Sequence, residues 1–159
     1  MSFELKIERP FRCHTAVQMR FNDIDMLGHL NNTSYLEMFD LGKNDYFTKV
    51  KNGYIEWSKP SLMIVHLDID FLAQTRFSER VEVLTQVTRL GNKSVHLLQQ
   101  LVNADTGEVK CQCRSVMCNF DVATGVPAPV TDEWRHDIAA YEGDSELGVK
   151  VSPTLTSNV

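Results

Sequence analysis

Between Asn22 and Asn32 the chain places Asp23, Asp25, His29, Asn31 and Asn32 within ten positions of one another. Two carboxylates, an imidazole and two amides in so short a segment suit metal binding, turn building or acid–base and nucleophilic chemistry. The run starts like a calcium loop, with Asp23 and Asp25 at positions one and three and Gly28 at six. Leu27 at position five cannot ligate through its side chain, and Ser34 stands at position twelve, where a bidentate Glu is needed. Calcium is therefore discarded, and no metal site is expected. Turn building accounts for Asp23 by itself, and for Asn31 it stands level with a chemical role. The third reading is catalysis. A carboxylate just ahead of a helix start has free N–H groups and the positive end of the helix dipole beside it, and these polarise a carbonyl. That arrangement pairs a nucleophile or base with an oxyanion site, as acyl transfer requires.

The residues Arg20 to Tyr35, RFNDIDMLGHLNNTSY, resemble the D-x-D-x-x-G-H-x-N-N-x-x-Y segment of hotdog-fold acyl thioesterases. That family includes the 4-hydroxybenzoyl-CoA thioesterase-like enzymes and the acyl-carrier-protein thioesterases. The likeness extends to the strand order over roughly 10–122, with the D-x-D-F-L run at Asp68 to Leu72 and the G-x-K-S run at Gly91 to Ser94. The resemblance implies a five-stranded antiparallel sheet around one central helix, working as a homodimer or homotetramer. It implies that Asp25 is the catalytic carboxylate and that the N–H near Asn32 polarises the thioester carbonyl. His29 matches the histidine of the acyl-carrier branch. Gly28, Asn31, Tyr35, Lys93 and Ser94 are the substrate-binding candidates, Lys93 toward a CoA phosphate. Tyr35 also fits plain helix packing, and Lys93 an ordinary exposed lysine. Two departures stand out. Leu27 occupies the place where plant members of the acyl-carrier branch have Asn, and the Gly91–Ser94 hairpin is less basic than in the 4-hydroxybenzoyl-CoA type, which also lacks the histidine. Nucleophile and general base both remain open for Asp25, as does the carrier, coenzyme A or acyl carrier protein. No cofactor is implied.

These residues need elements to hold them. Residues 12–21 alternate, with Cys13, Thr15, Val17, Met19 and Phe21 on one face, which reads as a half-buried strand. Residues 33–50 carry Tyr35, Leu36, Phe39, Tyr46, Phe47 and Val50 at helical spacing around Gly42 and Lys43. Asn31, Asn32, Thr33 and Ser34 can each cap this helix, and Ser34 with Glu37 has capping-box spacing. Four further strands are expected, over 62–71, 80–90, 93–103 and 108–120, with turns at Gly91-Asn92 and Ala104–Gly107. Trp134, Ile138 and Tyr141 predict a short C-terminal helix capped by Thr131 or Asp132. One long helix and hairpin-linked strands define an α+β fold, with the helix in the curl of an antiparallel sheet. A single domain over 1–142 and a loose tail over 143–159 are expected. His66 and His96 read as structural or interfacial.

The formal charge of −5 argues against a nucleic-acid partner, and no apolar run is long enough for a membrane helix. The start, MSFELKIERPF, has no apolar core, so no secretory signal is expected. Cys13, Cys111, Cys113 and Cys118 contain no C-x-x-C pair and read as free thiols in a cytoplasmic protein. Apolar outer positions such as Ile64 or Leu98 predict self-association. The leading function is hydrolysis of an acyl-CoA or acyl-carrier thioester. A hotdog dehydratase or hydratase is the rival enzyme, but no H-F-P-G-H pattern occurs. A non-catalytic acyl-binding protein is the other alternative; such proteins can drop the carboxylate that this chain retains.

Overall fold

The computed structural model describes residues 7–55 and 61–150. Its elements are β1 (Cys13–Val17), α1 (Asn32–Val50), β2 (Leu62–Phe71), β3 (Val81–Leu90), β4 (Ser94–Asn103), β5 (Val109–Asn119) and α2 (Asp132–Glu142). All five strands form one antiparallel sheet in the order β1-β3-β4-β5-β2. The expected hotdog architecture is therefore present: a curled sheet, one long helix against it, and a short helix after the last strand.

Alternation along each strand decides which side chains meet α1. Val81, Val83, Thr85 and Val87 of β3 all face inward and are buried. Near its N-terminus α1 packs Tyr35, Met38 and Phe39 against Val81, Val83, Leu101, Cys111 and Cys113. Toward its C-terminus Tyr46, Phe47 and Val50 meet Val87, Leu90, Val95, Leu97 and Met117, with Ile138 of α2 closing that end. The two clusters are held close by Gly42. A β-carbon built there would lie 2.4 Å from Val83 Cγ1, so only glycine lets the helix approach the sheet this nearly. Beside it, Gln99 Nε2 donates to the Phe39 carbonyl at 2.8 Å and to Thr85 Oγ1 at 3.0 Å, pinning mid-helix to the sheet.

Four local expectations differ from the structure. Phe21 does not continue the inward face of β1; the strand ends at Val17 and Phe21 opens a 3-10 turn, Phe21–Asp23, where its ring is exposed. The cap of α1 is Asn31, whose side chain accepts from Thr33 N–H at 3.1 Å. Ser34 is buried inside the helix instead, and Glu37 pairs with Arg20 rather than closing a capping box. The tail is ordered further than its composition suggests. A 3-10 turn at Ser145–Gly148 buries Leu147 against the core, and 151–159 lie outside the described residues. Finally, Leu98 is buried within the chain, so it offers no apolar outer surface.

Candidate active site

The polar segment between β1 and α1 folds on itself. Ile24 and Leu30 form an antiparallel bridge, and Asn31 N–H donates to the Asp23 carbonyl at 2.7 Å. This small hairpin delivers the chain directly into the first turn of α1 and sets residues 25–29 beside it. Leu30 N–H donates to the Thr75 carbonyl at 2.8 Å and ties the hairpin to the segment after β2.

Asp23 is the buried carboxylate of the pair, at 3% exposure. It accepts from the Arg20 backbone N–H at 2.7 Å and from Arg20 Nη2 at 2.8 Å. The Arg20 guanidinium holds its carboxyl below the usual carboxylate range. With its oxygens committed to Arg20, Asp23 builds the turn.

Asp25 is different in kind. Its Oδ1 accepts from Leu27 N–H at 2.9 Å and from His29 N–H at 3.2 Å, while its backbone N–H donates to the His29 carbonyl at 2.9 Å. One oxygen fixes the side chain to the turn. The other, Oδ2, has no partner among the described residues and is free to act. Gly28, at φ +77°, supplies the left-handed bend that closes this turn. The His29 ring is half-buried and makes no hydrogen bond among the described residues.

The hairpin runs into the start of α1. Asn31 caps Thr33 through its side chain, its Oδ1 accepting from both Thr33 N–H and Thr33 Oγ1. Asn32 is then the first helical residue, and no described residue accepts from its backbone N–H. The first turn carries no acidic side chain of its own. A free carboxylate oxygen and an unattached imidazole thus lie on one short hairpin, which leads directly into the open helix N–H of Asn32.

The remaining candidates separate. Tyr35 is buried, its hydroxyl donates to Thr75 Oγ1 at 2.9 Å, and its ring stands edge-on to Phe71; burial pushes its phenol up. These contacts are those of a packing residue. Lys93 is exposed in the β3–β4 hairpin, and Ser94 Oγ lies 3.2 Å from His96 Nε2. That hairpin sits beside Leu90 and Val95, at the C-terminal end of α1. The helix is 19 residues long, roughly 27 Å at 1.5 Å per residue, so one chain does not bring Lys93 or Ser94 to Asp25. Cys111 and Cys113 lie nearer, but burial pushes their thiols up to about 12 and about 11, leaving them protonated packing groups. What spacing does not disclose is the apolar rim: Met26 is fully exposed, and Leu27 and Phe21 nearly so. Exposed large apolar side chains flanking a free carboxylate are the available signal.

Residues 19–138 match the family model of the thioesterase-like superfamily, so the chain belongs to that superfamily. Among solved structures, a thioesterase of Thermus thermophilus complexed with coenzyme A and Zn is 26% identical. The match covers 84% of this chain and 96% of that one, at a TM-score of 0.74. A predicted thioesterase of Bacillus stearothermophilus is 26% identical over 80% of this chain and 94% of its own, at a TM-score of 0.73. The protein YsmA of Bacillus subtilis strain 168 is 25% identical over 128 residues, 80% of this chain and 86% of that protein.

Proposed function

We propose that this chain hydrolyses an acyl thioester of coenzyme A to the free acid and the thiol. The observation that carries the reading is Asp25: one oxygen anchored by two backbone N–H groups, the other without a partner among the described residues, on the hairpin that leads into the open N–H of Asn32. The acyl carbonyl oxygen would accept from Asn32 N–H and take up negative charge there as the carbon is attacked. Asp25 Oδ2 either adds to that carbon, giving a mixed anhydride that water opens, or takes a proton from water as the water oxygen adds. In both routes the C–S bond breaks and the thiolate leaves with the electron pair. In this reading His29 donates the proton that makes it a thiol. Met26 and Leu27 would line the acyl chain. The solved Thermus thermophilus relative with coenzyme A favours that carrier over acyl carrier protein.

A homodimer is part of this reading. β2 is an edge strand with Met63, Val65, Leu67 and Phe71 exposed, Val65 at 57%. An unpaired apolar edge of this length invites a second copy. Pairing β2 with its symmetry mate makes the two α1 helices antiparallel, so the partner's β3–β4 hairpin comes to the end of the assembly that holds Asp25. Lys93 then keeps its assignment toward a CoA phosphate, and Ser94 its place among the substrate-binding candidates, from the other subunit. Four free cysteines accord with a cytoplasmic location, and no described helix is long and apolar enough to cross a membrane.

The test is release of free thiol from a panel of acyl-CoAs, repeated with the same acyl groups on acyl carrier protein and repeated with Asp25→Asn. Hydrolysis of CoA esters that disappears in the variant supports the reading. Binding of acyl-CoA without turnover by the native chain would point to the non-catalytic acyl-binding alternative. A monomeric mass by light scattering at micromolar concentration would remove the dimer.

A further inference from the structure

Arg135 is a buried cation without a buried anion. It is 3% exposed, and among the described residues no carboxylate comes within ion-pair distance. Its guanidinium is instead spent on carbonyls of the β3–β4 turn. Nη2 donates to the Gly91 carbonyl and to the Asn92 carbonyl at 3.1 Å, Nε donates to the Val130 carbonyl at 3.3 Å, and Nη1 is buried without a partner. Two backbone bonds complete the grip: Val130 N–H to the Asn92 carbonyl at 2.9 Å and Asn119 N–H to the Lys93 carbonyl at 2.8 Å.

Burying a guanidinium with no carboxylate in ion-pair contact is costly, and carbonyl dipoles offset only part of that cost. The residual positive charge lies directly under the turn Gly91–Ser94. The carbonyls of Gly91 and Asn92 point in toward Arg135. Because the described residues include no cis peptide, the N–H groups of Asn92 and Lys93 point to the opposite side. No described residue accepts from either. The turn therefore presents two free N–H groups and the Lys93 ammonium outward, over a buried cation, an arrangement suited to an anion.

We propose that Arg135 is a positioning residue for coenzyme A: it locks the Gly91–Ser94 turn in the conformation that receives the phosphates of the CoA nucleotide. The proposal rests on the acyl-CoA reading above. Arg135 touches neither the thioester nor Asp25, so it acts on affinity for the nucleotide end alone.

The experiment compares one acyl group carried on CoA and on N-acetylcysteamine, which lacks the nucleotide, in native protein, Arg135→Met and Arg135→Lys. Arg135→Lys keeps charge and length but cannot span three carbonyls, and it serves where the Met variant does not fold. The expected result is a KM for the CoA ester raised roughly tenfold with kcat retained, and both constants for the truncated ester unchanged. Equal losses for both esters, or an unchanged KM for the CoA ester in a folded variant, overturn the role of Arg135. If the native protein itself turns over the two esters with equal kcat/KM, it is the CoA reading that fails, and the proposal falls with it.

Discussion

Asp25 and His29 hold each other through the backbone: Asp25 N–H donates to the His29 carbonyl at 2.9 Å, and His29 N–H donates back to Asp25 Oδ1 at 3.2 Å. The two side chains proposed for the chemistry are thus fixed to one rigid turn. Asn at position 25 keeps an Oδ1 that accepts both N–H bonds, but it loses the charge and the nucleophile. Asp25→Asn should leave the thermal melt nearly unchanged and lower kcat by roughly 10³-fold or more. KM for acyl-CoA should change little. A folded Asp25→Asn that still hydrolyses, beside an inactive His29→Ala, would transfer the main role to the histidine.

Asp23 should fail in the other way. Its carboxyl sits below the usual range because Arg20 holds the charged form. A group depressed in the folded state contributes stability that is present above its unfolded value, about 4, and is lost as pH falls through the folded value. Asp23→Asn should therefore lower Tm at pH 7 by a few degrees, roughly 3–6 °C, since Arg20 is largely exposed and screened. The gap from the native protein should close as the pH is taken below about 4. A difference that persists well below that range would mean that Asp23 stabilises through something other than its charge.

The parts of this molecule visible in the sequence are the ones set by local rules. Strand composition in 80–90 and 108–120, helical spacing from Tyr35 to Val50 and a cap at Thr131 or Asp132 all depend on neighbours a few residues away, and the structure has β3 at Val81–Leu90, β5 at Val109–Asn119, α1 and a Thr131 cap. The Asp25–His29 turn is legible for the same reason. Choices among equivalent local signals are not. Asn31 and Ser34 can both cap, and what decides is that Ser34 is buried inside the helix. The distance between Lys93 and Asp25 is hidden because it depends on which end of α1 each hairpin reaches. Arg135 is farther out of reach: its partners in the β3–β4 turn lie more than forty positions away, and nothing in DEWRHD marks a turn as its target. β2 carries no fully buried residue: it is a sheet edge, and it meets the core only through Leu62, Ile69 and the Phe71 ring beside Tyr35.

Gly42 sets the spacing between helix and sheet. An alanine there would drive its methyl into Val83, where the ideal Cβ position lies 2.4 Å from Cγ1. Helix propensity favours Ala over Gly by up to about 1 kcal/mol, but overpacking of a tight core costs about 1–3 kcal/mol. Gly42→Ala should therefore destabilise the protein in chemical denaturation. Adding Val83→Ala should recover part of the loss, because it removes the clashing methyls. A stabilised Gly42→Ala single variant would show that α1 can shift away from β3 freely.

The helix start supplies the sharpest separation of chemistry from folding. Asn32 is the first residue of α1, where a backbone N–H has no helical partner and proline is well accommodated. The residue before a proline must be extended, and Asn31 already is, at φ −63° and ψ 138°. Its side-chain cap on Thr33 does not involve the Asn32 N–H and should survive. Asn32→Pro therefore removes a single donor with little reason to unfold the helix. If that donor holds the thioester oxygen as charge develops, kcat should fall by about 10²-fold or more, the usual cost of losing one oxyanion contact. The Asn32 amide side chain is lost as well, so Asn32→Ala is the control: it keeps the N–H and should retain most of the activity. Circular dichroism and the thermal melt establish that both variants are folded. Equal activity in the Pro and Ala variants would place the carbonyl oxygen on another donor and leave Asp25 without its oxyanion partner.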